Sequence, residues 1–255
     1  MAETSTVPGV RRDVIWRQAD TTANYHRSRP GVPFADAQFD IVERVVPAND
    51  VEVECLLDLG CGDGIATQAV IDRFPVNRAV LVDFSEPMLE AARDRFAASD
   101  ADVGIVFGDM LGSDWLPAVR PVAPFDLVIS RYAIHHLPHE RKQSLYAEIL
   151  DLLRPGGMFV NIEHVSSPNL EYQSAFDRML VEGIHALAGD RQTIEDAERA
   201  YRNRQDAETN ILAPVETQCD WLRDIGFVDV DCPFKALELA VFAGRKPASN
   251  IPQNA

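Results

Sequence analysis

From about Val51 to Glu163 the chain alternates between short, nearly unbroken apolar runs and longer stretches with one apolar face. Short runs rich in Val, Leu and Ile predict strands covered on both faces. They fall at Cys55–Asp58, Ala79–Asp83, Gly104–Phe107, Phe125–Ser130 and Met158–Glu163. Between them, apolar residues at helical spacing predict helices over Asp36–Val46, Ile65–Phe74, Pro87–Ala98 and His139–Leu153. Strand and helix in strict alternation predict a parallel sheet wrapped by helices on both faces. Arg154-Pro155-Gly156-Gly157 reads as a turn, with proline stopping the helix before it and glycines allowing the reversal.

After Val165 the strand signal stops. Residues 166–213 read as two helices parted near Gly189-Asp190, an insertion too long for a plain loop and expected to cap a site. The sheet pattern then resumes. Val215–Ile225 predicts a helix capped by Gly226, and Phe227–Cys232 and Glu238–Gly244 predict the last two strands. The expected organisation is a helical segment over 1–50, a core over 51–165 and 214–246, the insertion, and a flexible polar tail over 247–255. The first segment carries Trp16, Tyr25, His26, Arg27, Arg29 and Phe34, a composition suited to closing one side of a pocket.

Composition narrows the chemistry. At 46% hydrophobic and 25% charged residues, an ordinary soluble core is within reach. No apolar run approaches membrane-spanning length, and the N-terminus lacks the apolar stretch of a secretory signal. Net charge is −16, and lysines are few, so the clustered cations needed to grip nucleic-acid phosphates are missing. A small-molecule substrate is expected, with neither nucleic acid nor membrane as partner; a homodimer is left open. The four cysteines, Cys55, Cys61, Cys219 and Cys232, show no metal-ligand spacing. Unpaired thiols, a reducing cytoplasm and no metal follow as expectations.

The densest chemical signal is Cys55 to Gly64, C-L-L-D-L-G-C-G-D-G. It predicts a buried strand, a tight glycine turn at Gly60, Gly62 and Gly64, and a helix whose N-terminus faces a ligand. A dinucleotide fingerprint would place its third glycine three residues after the second, where this chain has Ile65. The spacing instead resembles motif I of the class I S-adenosylmethionine (SAM)-dependent methyltransferases. Further elements resemble that family in order: Leu81-Val82-Asp83, Gly108-Asp109-Met110, Phe125 to Ser130 followed by Arg131 to Leu137, and Leu153-Arg154-Pro155-Gly156-Gly157. The resemblance runs from about Glu54 to Lys246 and implies a Rossmann-like, seven-stranded, mostly parallel α/β sheet, with the helical insertion as a cap before the last two strands.

It also implies roles. Asp83 would accept from the ribose hydroxyls of SAM, left free because Ser85 serves better as the cap of the next helix. Phe84, Ser85 and Met88 would line the adenine pocket. Asp109 would take the adenine amino group, with Gly108 before it and Met110 packing on the ring. Asp58 would help hold the methionine ammonium or orient the glycine turn. Ser130 and Arg131 would face the methionine part and the sulfonium. Tyr25, Arg29 and Arg131 are candidates for a carboxylate, of SAM or of an acidic acceptor. His136 and His135 stand where an acceptor would enter and are the candidate bases, with His164 and Glu163 behind them.

The amino-methylating Asn/Asp-Pro-Pro-Tyr/Phe motif is replaced by Ser130-Arg131-Tyr132-Ala133. The residues Ile134-His135-His136-Leu137 and the closing Leu239 to Lys246 most resemble small-molecule enzymes of the ubiquinone/menaquinone-biosynthesis type. The expected activity is methyl transfer to a small molecule. Two alternatives are a SAM-binding protein without catalysis and a carboxy-SAM synthase-like enzyme.

Overall fold

A computed structural model of the chain describes residues 11–49 and 51–248. The start of the N-terminal segment and the end of the tail, 249–255, lie outside the described residues. One sheet organises the rest: β1 (Cys55–Leu59), β2 (Arg78–Asp83), β3 (Asp102–Phe107), β4 (Phe125–Arg131), β5 (Leu153–His164), β6 (Val228–Ala236) and β7 (Leu239–Arg245). Their spatial order is β3-β2-β1-β4-β5-β7-β6. Neighbours through β5 are parallel, and β7 runs antiparallel between β5 and β6.

Burial explains the apolar runs. In β1, Leu56, Leu57 and Leu59 are fully buried, and β2, β4 and β7 are buried almost throughout, because helices cover both faces. The edge strands β3 and β6 alternate or are half-exposed. Two apolar clusters result, one on each face. Leu57, Leu59 and Val128 belong to the cluster with Tyr146 and Phe159; Leu56, Leu81 and Ile129 belong to the one with Val46 and Phe96.

The helices are α1 (Ala19–Ser28), α2 (Ala35–Ala48), α3 (Ile65–Ile71), α4 (Glu86–Phe96), α5 (Leu116–Val119), α6 (His139–Leu152), α7 (Leu170–Ala188), α8 (Ile194–Arg202) and α9 (Val215–Ile225). The predicted helix over 65–74 is shorter than expected. The predicted turn at Pro155 is also revised: β5 already begins at Leu153, opposite Phe125, and the proline-glycine stretch is an irregularity inside the strand. Gly157 is needed there, since a Cβ would sit 3.0 Å from both the Arg154 and Phe125 carbonyl oxygens.

The N-terminal segment and the insertion touch each other. A Cβ on Gly183 of α7 would lie 2.2 Å from the Gly31 carbonyl oxygen, so the two backbones meet directly. Strand order reverses between β1 and β4, and the carboxyl ends of these strands open on a shared crevice.

Candidate active site

The crevice holds a cavity of about 90 Å³. That is below the roughly 300–1,000 Å³ of sites for drug-sized ligands. Its floor is the glycine turn. A Cβ on Gly60 (φ 66°) would lie 2.2 Å from that of Ala133, locking the turn against the loop after β4. Gly64 does not line the cavity. A Cβ there would meet the Phe96 ring at 2.5 Å, so this glycine serves the packing of α4. Gly62 faces the cavity and donates its N–H to Asp83 Oδ2 at 2.8 Å.

Asp83, at the end of β2, is 8% exposed. Its other oxygen accepts from the Ser85 N–H at 2.8 Å. Ser85 does not cap the helix with its hydroxyl, which donates to the Trp16 carbonyl. The expectation of a wholly free Asp83 therefore changes: two of its acceptor sites are engaged, and a carboxylate with about four retains room for two hydroxyls. Burial pushes its carboxyl up to about 6, against the pull of the backbone donors.

Phe84, Ser85, Met88, Gly108, Asp109 and Met110 form one end of the cavity, and Asp13, Trp16 and Tyr25 close over it. Arg11 donates to both oxygens of Asp109 and lies 4.9 Å from the Phe84 ring centre. Burial alone would raise the Asp109 carboxyl; hydrogen bonds from Arg11 outweigh it and hold the group below the usual range. Arg29, a carboxylate candidate, is engaged elsewhere: it donates to Asp63 at 2.6 Å, and Arg95 takes the other oxygen at 2.6 Å.

Asp58 lies beneath the turn rather than in the cavity wall. Its Oδ2 accepts from the hydroxyl and N–H of Thr67, at 2.7 and 3.2 Å, and holds the first turn of α3. Its Oδ1 is buried without a partner, and burial raises the carboxyl to about 7. Ser130 is also removed from the cavity, its hydroxyl bound to the Leu59 carbonyl at 2.7 Å between β1 and β4.

At the other end stand Arg131, Tyr132, Ala133, His136 and Leu137. Tyr132 takes a left-handed φ of 51°, a costly conformation for a bulky residue, which ends β4 abruptly. His136 Nδ1 lies 3.2 Å from the Thr209 carbonyl and 3.0 Å from its hydroxyl, which itself donates to the Asp206 carbonyl. A carbonyl only accepts, so Nδ1 carries the proton and Nε2 keeps the lone pair. Burial pushes the His136 imidazole down to about 3, so it is neutral near pH 7.

His135 lies behind His136, ring centres 4.0 Å apart, and does not line the cavity. Its Nδ1 is 2.6 Å from Glu163 Oε1. Burial drives both groups toward neutrality, His135 far down and Glu163 up to about 7. His164 meets Glu238, in the turn before β7, at 2.8 Å. Sequence reasoning missed Arg11, Asp13, Lys142 and Thr209. Lys142 is fully buried and donates to the Ile211 carbonyl, pinning the end of the insertion beside the histidine turn. Among the described residues the insertion gives the cavity no wall residue, and reaches it through Thr209 behind His136.

The methyltransferase-domain family matches residues 56–157, the stretch that holds the glycine turn, Asp83, Asp109 and the histidine turn. That stretch of the chain matches a methyltransferase domain. A trans-aconitate 2-methyltransferase of Acidovorax sp. (strain JS42) is 29% identical over 168 residues, covering 65% of this chain and 58% of that protein. The carboxy-S-adenosyl-L-methionine synthase of a Nitratiruptor species is 25% identical over 218 residues, covering 84% and 85%. A solved structure of PigF with SAH shares the fold at a TM-score of 0.60 and 18% identity, covering 94% of this chain and 63% of that one. The chain spans under two thirds of the first relative's length.

Proposed function

We propose that this chain transfers a methyl group from SAM to a small-molecule acceptor at the described cavity. The observation that carries the reading is convergence: the glycine turn, Asp83, Asp109 and a neutral histidine open on one cavity at the point where strand order reverses. The residues present suit the cofactor. Asp83 keeps acceptor sites for ribose hydroxyls, Gly62 offers a wall without a side chain, and the orphaned Asp58 Oδ1 beneath the turn suits a cationic ammonium reached through water.

When bound, SAM supplies an electrophilic methyl on a good leaving group, which leaves alignment and desolvation to the protein. Trp16 and Tyr25 cover the cavity and keep water out. His136, neutral and with its Nδ1 engaged, presents Nε2 as an acceptor that orients the nucleophile's proton. An imidazole held near 3 is a weak base, so His136 acts by hydrogen bonding rather than by taking the proton. The four free thiols fit a reducing cytoplasm.

Two named relatives handle extra carboxylates, trans-aconitate and carboxy-SAM, so acidic acceptors head the panel. The test is transfer of labelled methyl from SAM to trans-aconitate, citrate, malonate, amines and phenols, with mass spectrometry of any adenosyl compound that copurifies. Methylated product supports the proposal. Carboxy-SAM in the purified protein supports the synthase-like reading instead, and SAM binding without product across the panel supports a non-catalytic binder.

A further inference from the structure

The cations around the cavity are nearly all neutralised by nearby acids. Arg11 is held by Asp13 and Asp109, Arg17 lies 3.6 Å from Asp109, and Arg29 and Arg95 share Asp63. Arg131 differs. It lines the cavity, is 7% exposed, and has neither an ion pair nor a side-chain hydrogen bond among the described residues. Its Nε is buried without a partner. A lysine so placed could shed its proton, but a guanidinium stays charged at any physiological pH, and a buried charge calls for a partner.

The aromatic neighbours show what is missing. The guanidinium carbon lies 4.7 Å from the Tyr132 ring centre and 5.4 Å from that of Phe39. Aromatic contact of this kind fixes the fork but leaves its N–H donors unsatisfied. A planar carboxylate takes two such donors at once. A dianion such as phosphate is disfavoured, because Asp13, Asp63, Asp83 and Asp109 line the same cavity.

We infer that Arg131 is the binding residue for a carboxylate inside this cavity. Resting on the methyltransferase reading, it deepens it: the carboxylate belongs either to the amino-acid end of the cofactor or to the acceptor. The other candidates from the sequence offer less, since Arg29 is paired and Tyr25 has a single O–H on a ring packed edge-on against Trp16.

Calorimetry on the wild type, Arg131→Met and Arg131→Lys separates the two sources. The ligands are S-adenosylhomocysteine, 5′-methylthioadenosine, which lacks the amino-acid end, and the panel acids titrated into protein saturated with S-adenosylhomocysteine. If the cofactor supplies the carboxylate, Arg131→Met weakens S-adenosylhomocysteine by about 10- to 100-fold and leaves methylthioadenosine unchanged, as for loss of a charged hydrogen-bonded pair. If the acceptor supplies it, both adenosyl ligands bind as before, while a panel acid that binds the wild type is lost in Arg131→Met. Arg131→Lys falls between in either arm, because it keeps the charge and loses the fork. Melting temperature serves as the control: removing an unpaired buried charge leaves it unchanged or raises it. Unchanged adenosyl affinities with no panel acid dependent on Arg131 overturn the inference. So does a melting temperature that falls in both variants while adenosyl and panel-acid affinities stay intact, which would make the residue structural. A wild type that binds neither adenosyl compound defeats the methyltransferase reading itself, and panel acids titrated into the free protein then test Arg131 alone.

Discussion

The two ends of the cavity are built by different means. At the β1–β2 end the parts are close in sequence and held by backbone: Gly62 and Ser85 donate their N–H groups to Asp83, and Gly60 fits because it has no side chain. At the β4–β5 end the parts are distant and held by side chains: Glu163 meets His135, Thr209 meets His136, and Lys142 pins Ile211. The first end tolerates almost no change in shape. The second is sensitive to protonation, because burial has moved its titratable groups far from their usual values.

The largest expected effect tests the shape half of this contrast. Gly60→Ala combines a left-handed backbone with a Cβ 2.2 Å from Ala133. Overpacking of about 1–3 kcal/mol adds to left-handed strain of about 1–2 kcal/mol. Gly62→Ala carries the strain alone, since its Cβ would stand 3.7 Å from Met88 Sδ. Denaturant unfolding of both variants is expected to show Gly60→Ala as clearly the worse; equal losses would break the account of the turn.

Protonation tests the other half. Glu163 has a folded value of about 7, above its ordinary value of 4.5, so the folded chain retains a proton that the unfolded chain releases. Its contribution to stability is present below about pH 4.5 and is lost as pH rises through about 7. His136 has the opposite sign, with stability lost as pH falls from 6.5 toward about 3. Glu163→Gln is expected to flatten the decline between about pH 5 and 8 in thermal unfolding, leaving the acid limb in place. A variant whose pH profile matched the wild type would remove Glu163 from this role.

Binding should carry its own pH signature. Hydroxyls that donate to Asp83 favour its ionised form, so S-adenosylhomocysteine affinity is expected to rise with pH through about 6 and then level off. The smallest effect concerns the cover. Arg11 occupies Phe84 and Asp109, the residues assigned to adenine by resemblance, and Arg11→Ala is expected to tighten adenosyl binding a few-fold. Weaker binding would make Arg11 part of the closed site instead of a competitor for it.

This same division decides what could be read from the chain. The strands, their parallel order and the Gly60, Asp83 and Asp109 positions were legible because each is set by local spacing against a buried apolar run. Gly64 and Ser130 carried the right motif, but the structure places them in packing and strand contact rather than in the cavity wall, a distinction that depends on Phe96 and Leu59. Arg11, Lys142 and Thr209 gave no signal, since their partners lie 98, 69 and 73 positions away. The pairing of Arg29 with Asp63, which leaves Arg131 as the unpaired arginine lining the cavity among the described residues, likewise exists only after folding.

The central claim is that the glycine turn and Asp83 form an adenosyl site. Calorimetric titration of S-adenosylhomocysteine into the wild type and Asp83→Ala tests it most directly, with NAD as the control ligand. The account predicts micromolar binding by the wild type, at least about tenfold weaker in Asp83→Ala, as expected for lost hydrogen bonds to a charged group, and none of NAD. A folded wild type that ignores S-adenosylhomocysteine, or an Asp83→Ala variant that binds it equally well, would contradict the claim.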